Sequence, residues 1–132
     1  MCNNKEKVEY PTFTREEFDS ILQVLKVNED AVYQNKRSEY SPDEDVLENF
    51  HTQATLQGTT PAQIALTFFL KHILSIAISV RSKKYLESMT FQNEDGSEGL
   101  MQKFIDARNY IPLMIACMES ERKAENQNNQ IS

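Results

Sequence analysis

The sequence predicts an all-α protein, a bundle of four to five helices. Helix starts are spelled out as capping motifs at Thr14, Ser41 and Thr60. Apolar residues recur at spacings of three and four along the segments that follow, the period of one helical face. No stretch alternates apolar and polar residues as a half-buried strand does.

The elements follow in order. Residues 1–12 are polar, contain Tyr10-Pro11 and read as a flexible lead-in. Thr14 caps the first helix, and Glu17 closes a capping box, with Phe13 and Phe18 placed as a hydrophobic staple. Phe18, Ile21, Leu22 and Leu25 then form an amphipathic stripe. Residues 28–40 are polar and tyrosine-containing, consistent with a short helix or a loop. A second helix starts at Ser41-Pro42-Asp43-Glu44, with serine as cap, proline at the first position and glutamate at the third. It ends at Gly58, a natural C-terminal residue. The third helix opens at Thr60-Pro61 and is expected to extend as far as Glu87. Asn93-Glu94-Asp95-Gly96-Ser97 is a turn. The fourth helix is expected from about Glu98 to Lys123, kinked at Pro112, which removes a backbone donor. The Asn/Gln-rich tail, 125–132, has the composition of disorder. Residues 13–124 therefore make one helical domain.

The bulk numbers exclude some functions. With 14 basic and 20 acidic residues the net charge is −6, which argues against a nucleic-acid partner, since gripping a phosphate backbone needs a basic surface. A small anionic ligand needs only a few local cations and stays open. Cys2 and Cys117 show no metal-binding spacing and read as reduced thiols of a cytosolic protein. The N-terminus lacks the apolar core of a signal peptide. The apolar run at 64–80 carries Lys71 and His72 at its middle, a costly placement in a bilayer, so no membrane partner is expected.

That run holds the most informative pattern. Apolar residues nearly surround the helix, yet Thr67, Lys71, Ser75 and Ser79 recur every four residues with His72 beside them. The stripe is either the helix's one wet face or the wall of a polar pocket. A helix so apolar on all sides does not suit the surface of a small monomer, so a homo-oligomer is expected. On the last helix, Asp106, Asn109 and Tyr110 share a face, with Gln102 one turn earlier. Asp106 is expected to meet Lys71 or His72, because a buried charge seeks a partner. The acidic run from Asp43 to Glu48 suits the first turn of a helix, where carboxylates meet the positive dipole end. Nucleophilic catalysis finds no serine in a Gly-flanked elbow, and three glycines leave no phosphate loop. A metal site would need converging carboxylates, and Asp45 with Glu48 is one acidic pair at the right spacing.

Taken together, Tyr40-Ser41-Pro42-Asp43-Glu44-Asp45, Leu47-Glu48-Asn49-Phe50, Gly58-Thr59-Thr60-Pro61-Ala62-Gln63, Lys71-His72-Ile73-Leu74-Ser75-Ile76 and Ile105-Asp106-Ala107-Arg108-Asn109-Tyr110 form a familiar order of segments. Over roughly residues 37–120 the chain resembles small phage and prophage proteins distantly related to the MazG-like all-α nucleotide pyrophosphatases. The resemblance implies a MazG-like helical arrangement, association as dimers or tetramers, and a nucleotide ligand. It aligns Asp106 with the aspartate of the enzymes' ExxD motif, Asn109 and Tyr110 with the residues after it, and Lys71 and His72 with a basic site on the preceding helix. Asp45 and Glu48 are the nearest match to the ExxE pair. Lys103 stands where a glutamate is expected, which weakens catalysis more than binding. The expectation is a cytoplasmic protein, in the host if phage-encoded, that sequesters a nucleotide or nucleotide-derived signal without a cofactor, as in countering host defence. Its expected ligand-binding residues are Tyr40, Asn49, Lys71, His72, Asp106, Asn109 and Tyr110. One alternative is a magnesium-dependent pyrophosphohydrolase using Asp45, Glu48 and Asp106 as metal ligands. Another is a protein-interaction module.

Overall fold

A computed structural model of the chain describes residues 8–39 and 45–131, with backbone alone for 32–39 and 131. Four α-helices carry the fold: α1 Arg15–Glu39, α2 Glu48–Gln57, α3 Pro61–Ser82 and α4 Leu100–Ile131. A single 3-10 turn, Lys84–Leu86, and a tight hairpin join α3 to α4. Among the described residues no strand forms, only an isolated bridge between Gln92 and Glu98.

The local signals explain most boundaries. The Thr14 hydroxyl accepts the Glu17 N–H at 3.1 Å, and the Glu17 carboxylate reaches back to Thr14, completing the capping box that opens α1. Thr60 caps α3 by accepting the Gln63 N–H at 3.3 Å. Gly58 ends α2 at φ 67°, in the left-handed region, donating to the carbonyls of Ala54 and Thr55. The turn at 93–97 closes with Asn93 donating to the Ser97 carbonyl at 2.9 Å and Gly96 at φ 85°.

Four boundaries differ from the sequence reading. The polar stretch 28–39 continues α1 instead of ending it. The proposed cap at Ser41 lies outside the described residues; α2 runs from Glu48, and Asp45 organises the turn before it by accepting the Leu47 N–H. The third helix stops at Ser82, because Lys83 turns left-handed at φ 57°. The fourth helix runs through Pro112 and on to Ile131, so residues 125–131 are helical and not a disordered tail. Pro112 lies on the exposed side of α4, where the missing backbone donor does not end the helix. Nothing in the tail through Ile131 is proline or glycine, so no residue there stops the helix.

The core is small. Phe50 and Ala54 of α2, Ile64 and Ala65 of α3 and Cys117 of α4 form it, with Phe68, Tyr110, Leu113 and Met114 packed around them. Cys117 is a free, fully buried thiol. Helix α3 is central, in contact with both α2 and α4, whereas α1 packs chiefly on α4. A salt bridge fastens that second contact, Arg108 Nη2 to Glu29 Oε2 at 3.0 Å.

The hairpin seats the start of α4. Gly99 is buried against the backbone of Thr90 and Phe91, donates to the Phe91 carbonyl at 2.8 Å, and lets Met101 donate to the Thr90 carbonyl at 3.0 Å. A Cβ at position 99 would collide with the Thr90 carbonyl oxygen. Gly99→Ala is therefore expected to destabilise the fold by about 2 kcal/mol, the cost of forced overpacking, read as a lower urea midpoint at unchanged slope.

Candidate functional site

Between α3 and the first half of α4 the structure gathers an aromatic row and an acidic cluster. The row runs from Phe50 to Phe68, Tyr110 and His72, with ring centroids 6.5, 6.1 and 5.2 Å apart in turn. His72 is half-buried and faces Tyr110, while Lys71, one residue and about 100° earlier on the helix, is exposed.

The acidic cluster lies alongside. Gln102 donates its amide to Asp106 Oδ1 at 3.0 Å, and Asp106 is half-buried. Glu98, just ahead of α4 in the bridge to Gln92, lies near enough to Asp106 to respond to its carboxylate. Partial desolvation pushes the Glu98 carboxyl up from its ordinary value of 4.5, and the hydrogen bond and negative charge of Asp106 push it further, while His72 and Lys103 pull it partly back. The Tyr110 hydroxyl is raised above 10.0 by burial and by Asp106, so it stays a donor at neutral pH. Asn109 is 7% exposed and its side-chain oxygen has no hydrogen-bond partner.

Of the residues singled out from sequence, His72, Asp106 and Tyr110 come together here. Asn109 is buried on the same helix. The expected ion pair is absent among the described residues: neither Lys71 nor His72 forms one with Asp106, whose partners are an amide and a second acid. Asn49 is exposed on α2, and Tyr40 lies outside the described residues. Glu98 was missed by the sequence reading. Its spacing of four and eight from Gln102 and Asp106 was the available signal, hidden because the turn ends beside it.

A second constellation sits at the other end of α4. Asp45 Oδ2 meets His51 Nδ1 at 3.1 Å, and His51 Nε2 meets the Ser120 hydroxyl at 3.0 Å. These are the spacings of a nucleophile, a base and an orienting acid. The neighbouring N-terminus of α3 offers no spare donor for a developing oxyanion. Pro61 has none, Ala62 donates to Glu121 Oε2, Gln63 to the Thr60 hydroxyl and Ile64 to the Thr60 carbonyl. The arrangement works as a clamp: Asp45 also accepts the Leu47 N–H at 2.9 Å, so one carboxylate orders the entry to α2 while His51 ties that helix to α4.

This geometry also separates the candidate metal ligands. Asp45 is chained through His51 to Ser120, which lies fourteen residues, or about 21 Å of helix, from Asp106. Asp45, with Glu48 just after it, and Asp106 thus belong to opposite ends of α4. Among the described residues no group of three histidine, cysteine or acidic side chains converges to hold a metal ion. A groove under the hairpin is lined by Ser88, Thr90 and Gln92 to Asp95, and of these Asp95 already accepts from the Ser97 N–H.

Comparison with known proteins finds no matching family model, no matching curated protein and no matching solved structure.

Two outcomes follow. Because the folded state holds the Glu98 proton more tightly than the unfolded chain does, this residue's contribution to stability falls as pH rises from about its ordinary 4.5 through its raised folded value. Glu98→Gln removes that loss, so its melting temperature relative to wild type should climb between pH 4.5 and neutrality. A constant gap would contradict a raised Glu98 carboxyl. His51→Ala cuts both ties of the clamp and should cost roughly 1–2 kcal/mol by denaturant titration.

Proposed function

We propose that this protein is a non-catalytic binder of a nucleotide or nucleotide-derived small molecule, held between α3 and α4 by His72, Gln102, Asp106 and Tyr110. Asp106 carries the reading. It takes the Gln102 amide and sits beside Glu98, whose carboxyl is raised by partial desolvation and by Asp106, and groups with perturbed ionisation concentrate at functional sites.

The chemistry suits a nucleoside. Carboxyl groups and an amide oxygen accept hydrogen bonds from a base's exocyclic amine or from ribose hydroxyls. The His72–Tyr110 pair offers ring faces for a base. Phosphates, repelled by the acid pair, would turn toward Lys71 or Lys103. Use as a sponge for a nucleotide signal of host defence, in a phage setting, goes with the family resemblance and is analogy.

A second reading, a protein-interaction module, is favoured by the exposed apolar face of α3. The pyrophosphohydrolase reading finds no comparable support, since its three carboxylates sit at opposite ends of α4.

Calorimetry against nucleosides, nucleotides and cyclic nucleotides, with and without magnesium, tests the proposal. Binding is expected without magnesium, and Asp106→Ala or Tyr110→Ala should weaken it at least tenfold, about 1.4 kcal/mol. Lys71→Ala should weaken phosphorylated ligands and leave nucleosides untouched. Binding unchanged in the Asp106 and Tyr110 variants, or no binding by the wild type, removes the proposal.

A further inference from the structure

One polar side chain is buried with nothing to bond. Asn109 is 7% exposed, and among the described residues nothing donates to its side-chain oxygen. A buried acceptor left unpaired loses its hydration without return, and native folds hold few such groups. Neighbouring polar side chains of α4 are already engaged. Asp106 accepts the Gln102 amide at 3.0 Å, and Arg108 meets Glu29 of α1 at 3.0 Å. For stability alone, leucine would suit position 109 better, having the same branching and no polar atom.

The place of Asn109 on the helix ties it to the candidate site. At about 100° per residue, Gln102, Asp106 and Asn109 fall within an arc of about 60°. The buried amide thus shares the wall on which Gln102 and Asp106 stand. Tyr110 follows directly, its ring centroid 5.2 Å from that of His72. Burial deepens along this wall: Glu98 is exposed, Asp106 half-buried and Asn109 buried. A nucleotide entering from the Glu98 end leaves its sugar and phosphate at the wet end and carries its flat base inward. The base lies on the Tyr110 and His72 rings, and its edge meets Asn109.

Resting on the nucleotide reading of this site, we propose that Asn109 selects the base: its side-chain oxygen accepts from an exocyclic amine, so the site takes amino-bearing bases and refuses counterparts that lack the amine. Selectivity comes from what the wrong ligand fails to supply. A base without the donor seals the oxygen away from water and leaves it unpaired. Sites built to bond one N–H or O–H therefore reject analogues lacking it far more strongly than apolar pockets reject a missing methylene. The unliganded fold carries the same unpaired oxygen, a loss of stability retained for recognition.

Calorimetry with matched ligand pairs tests the assignment: adenosine against purine riboside, guanosine against inosine, and cytidine against uridine, each as nucleoside, monophosphate and cyclic monophosphate. The members of a pair differ at one exocyclic amine. The wild type should favour the amino member of at least one pair by about tenfold or more. Asn109→Leu and Asn109→Ala should both bring that ratio close to unity. Equal binding within every pair, a preference for the member without the amine, or a preference that survives both substitutions would each overturn the proposal. Unliganded Asn109→Leu should melt at or above the wild-type temperature, because it removes the unpaired acceptor. A fall of about 8 °C or more in both Asn109 variants would show the amide bonded within the fold and remove its recognition role. If Asp106→Ala and Tyr110→Ala abolish binding while the Asn109 variants keep the wild-type ratio, Asn109 loses this role and the binding site stands. If the wild type binds none of these ligands, both fall together.

Discussion

Close approach at one corner of α3 organises the molecule. Ala65 is fully buried and Ile64 nearly so, and against them pack Phe50 and Ala54 of α2 and Cys117 of α4. Small side chains at Ala54, Ala65 and Cys117 let three helices meet, and the larger rings of Phe68 and Tyr110 extend that contact toward the polar cluster. Every other feature is positioned from this corner. The clamp of Asp45, His51 and Ser120 orients α2 onto it, and Glu121 caps the first turn of α3 beside it. The hairpin and Gly99 set where α4 begins, and therefore which of its faces meets α3.

What was legible in the sequence was local. Thr14, Gly58 and Thr60 act within a few residues of themselves, through bonds whose partners are fixed by helix geometry. The turn at 93–97 is local for the same reason. The start of α2 was misread because its organising group, Asp45, is held by His51, and His51 in turn by Ser120, 69 positions away. No periodicity announces such a link. The end of α4 was misread because composition alone suggested disorder, while Asn and Gln impose only a weak penalty on a helix already propagating.

The candidate site was half legible. Sequence reasoning found His72, Asp106 and Tyr110 by asking which polar groups interrupt apolar helices, and the structure brings those three together. It assigned Asp106 a cationic partner because an isolated buried charge is costly. The fold relieves that cost differently, by leaving Asp106 half-buried, giving it the Gln102 amide and letting Glu98 hold its proton more tightly. An amide partner and partial exposure are an alternative to charge pairing as the answer to desolvation, and only geometry distinguishes them.

The two faces of α3 divide its work. His72 points inward to Tyr110, and Leu70 and Leu74 point outward, with exposed Lys71 at the edge between them. The candidate pocket wall and the exposed apolar face therefore share one helix without sharing a residue, so a substitution at Leu74 leaves the His72 side in place.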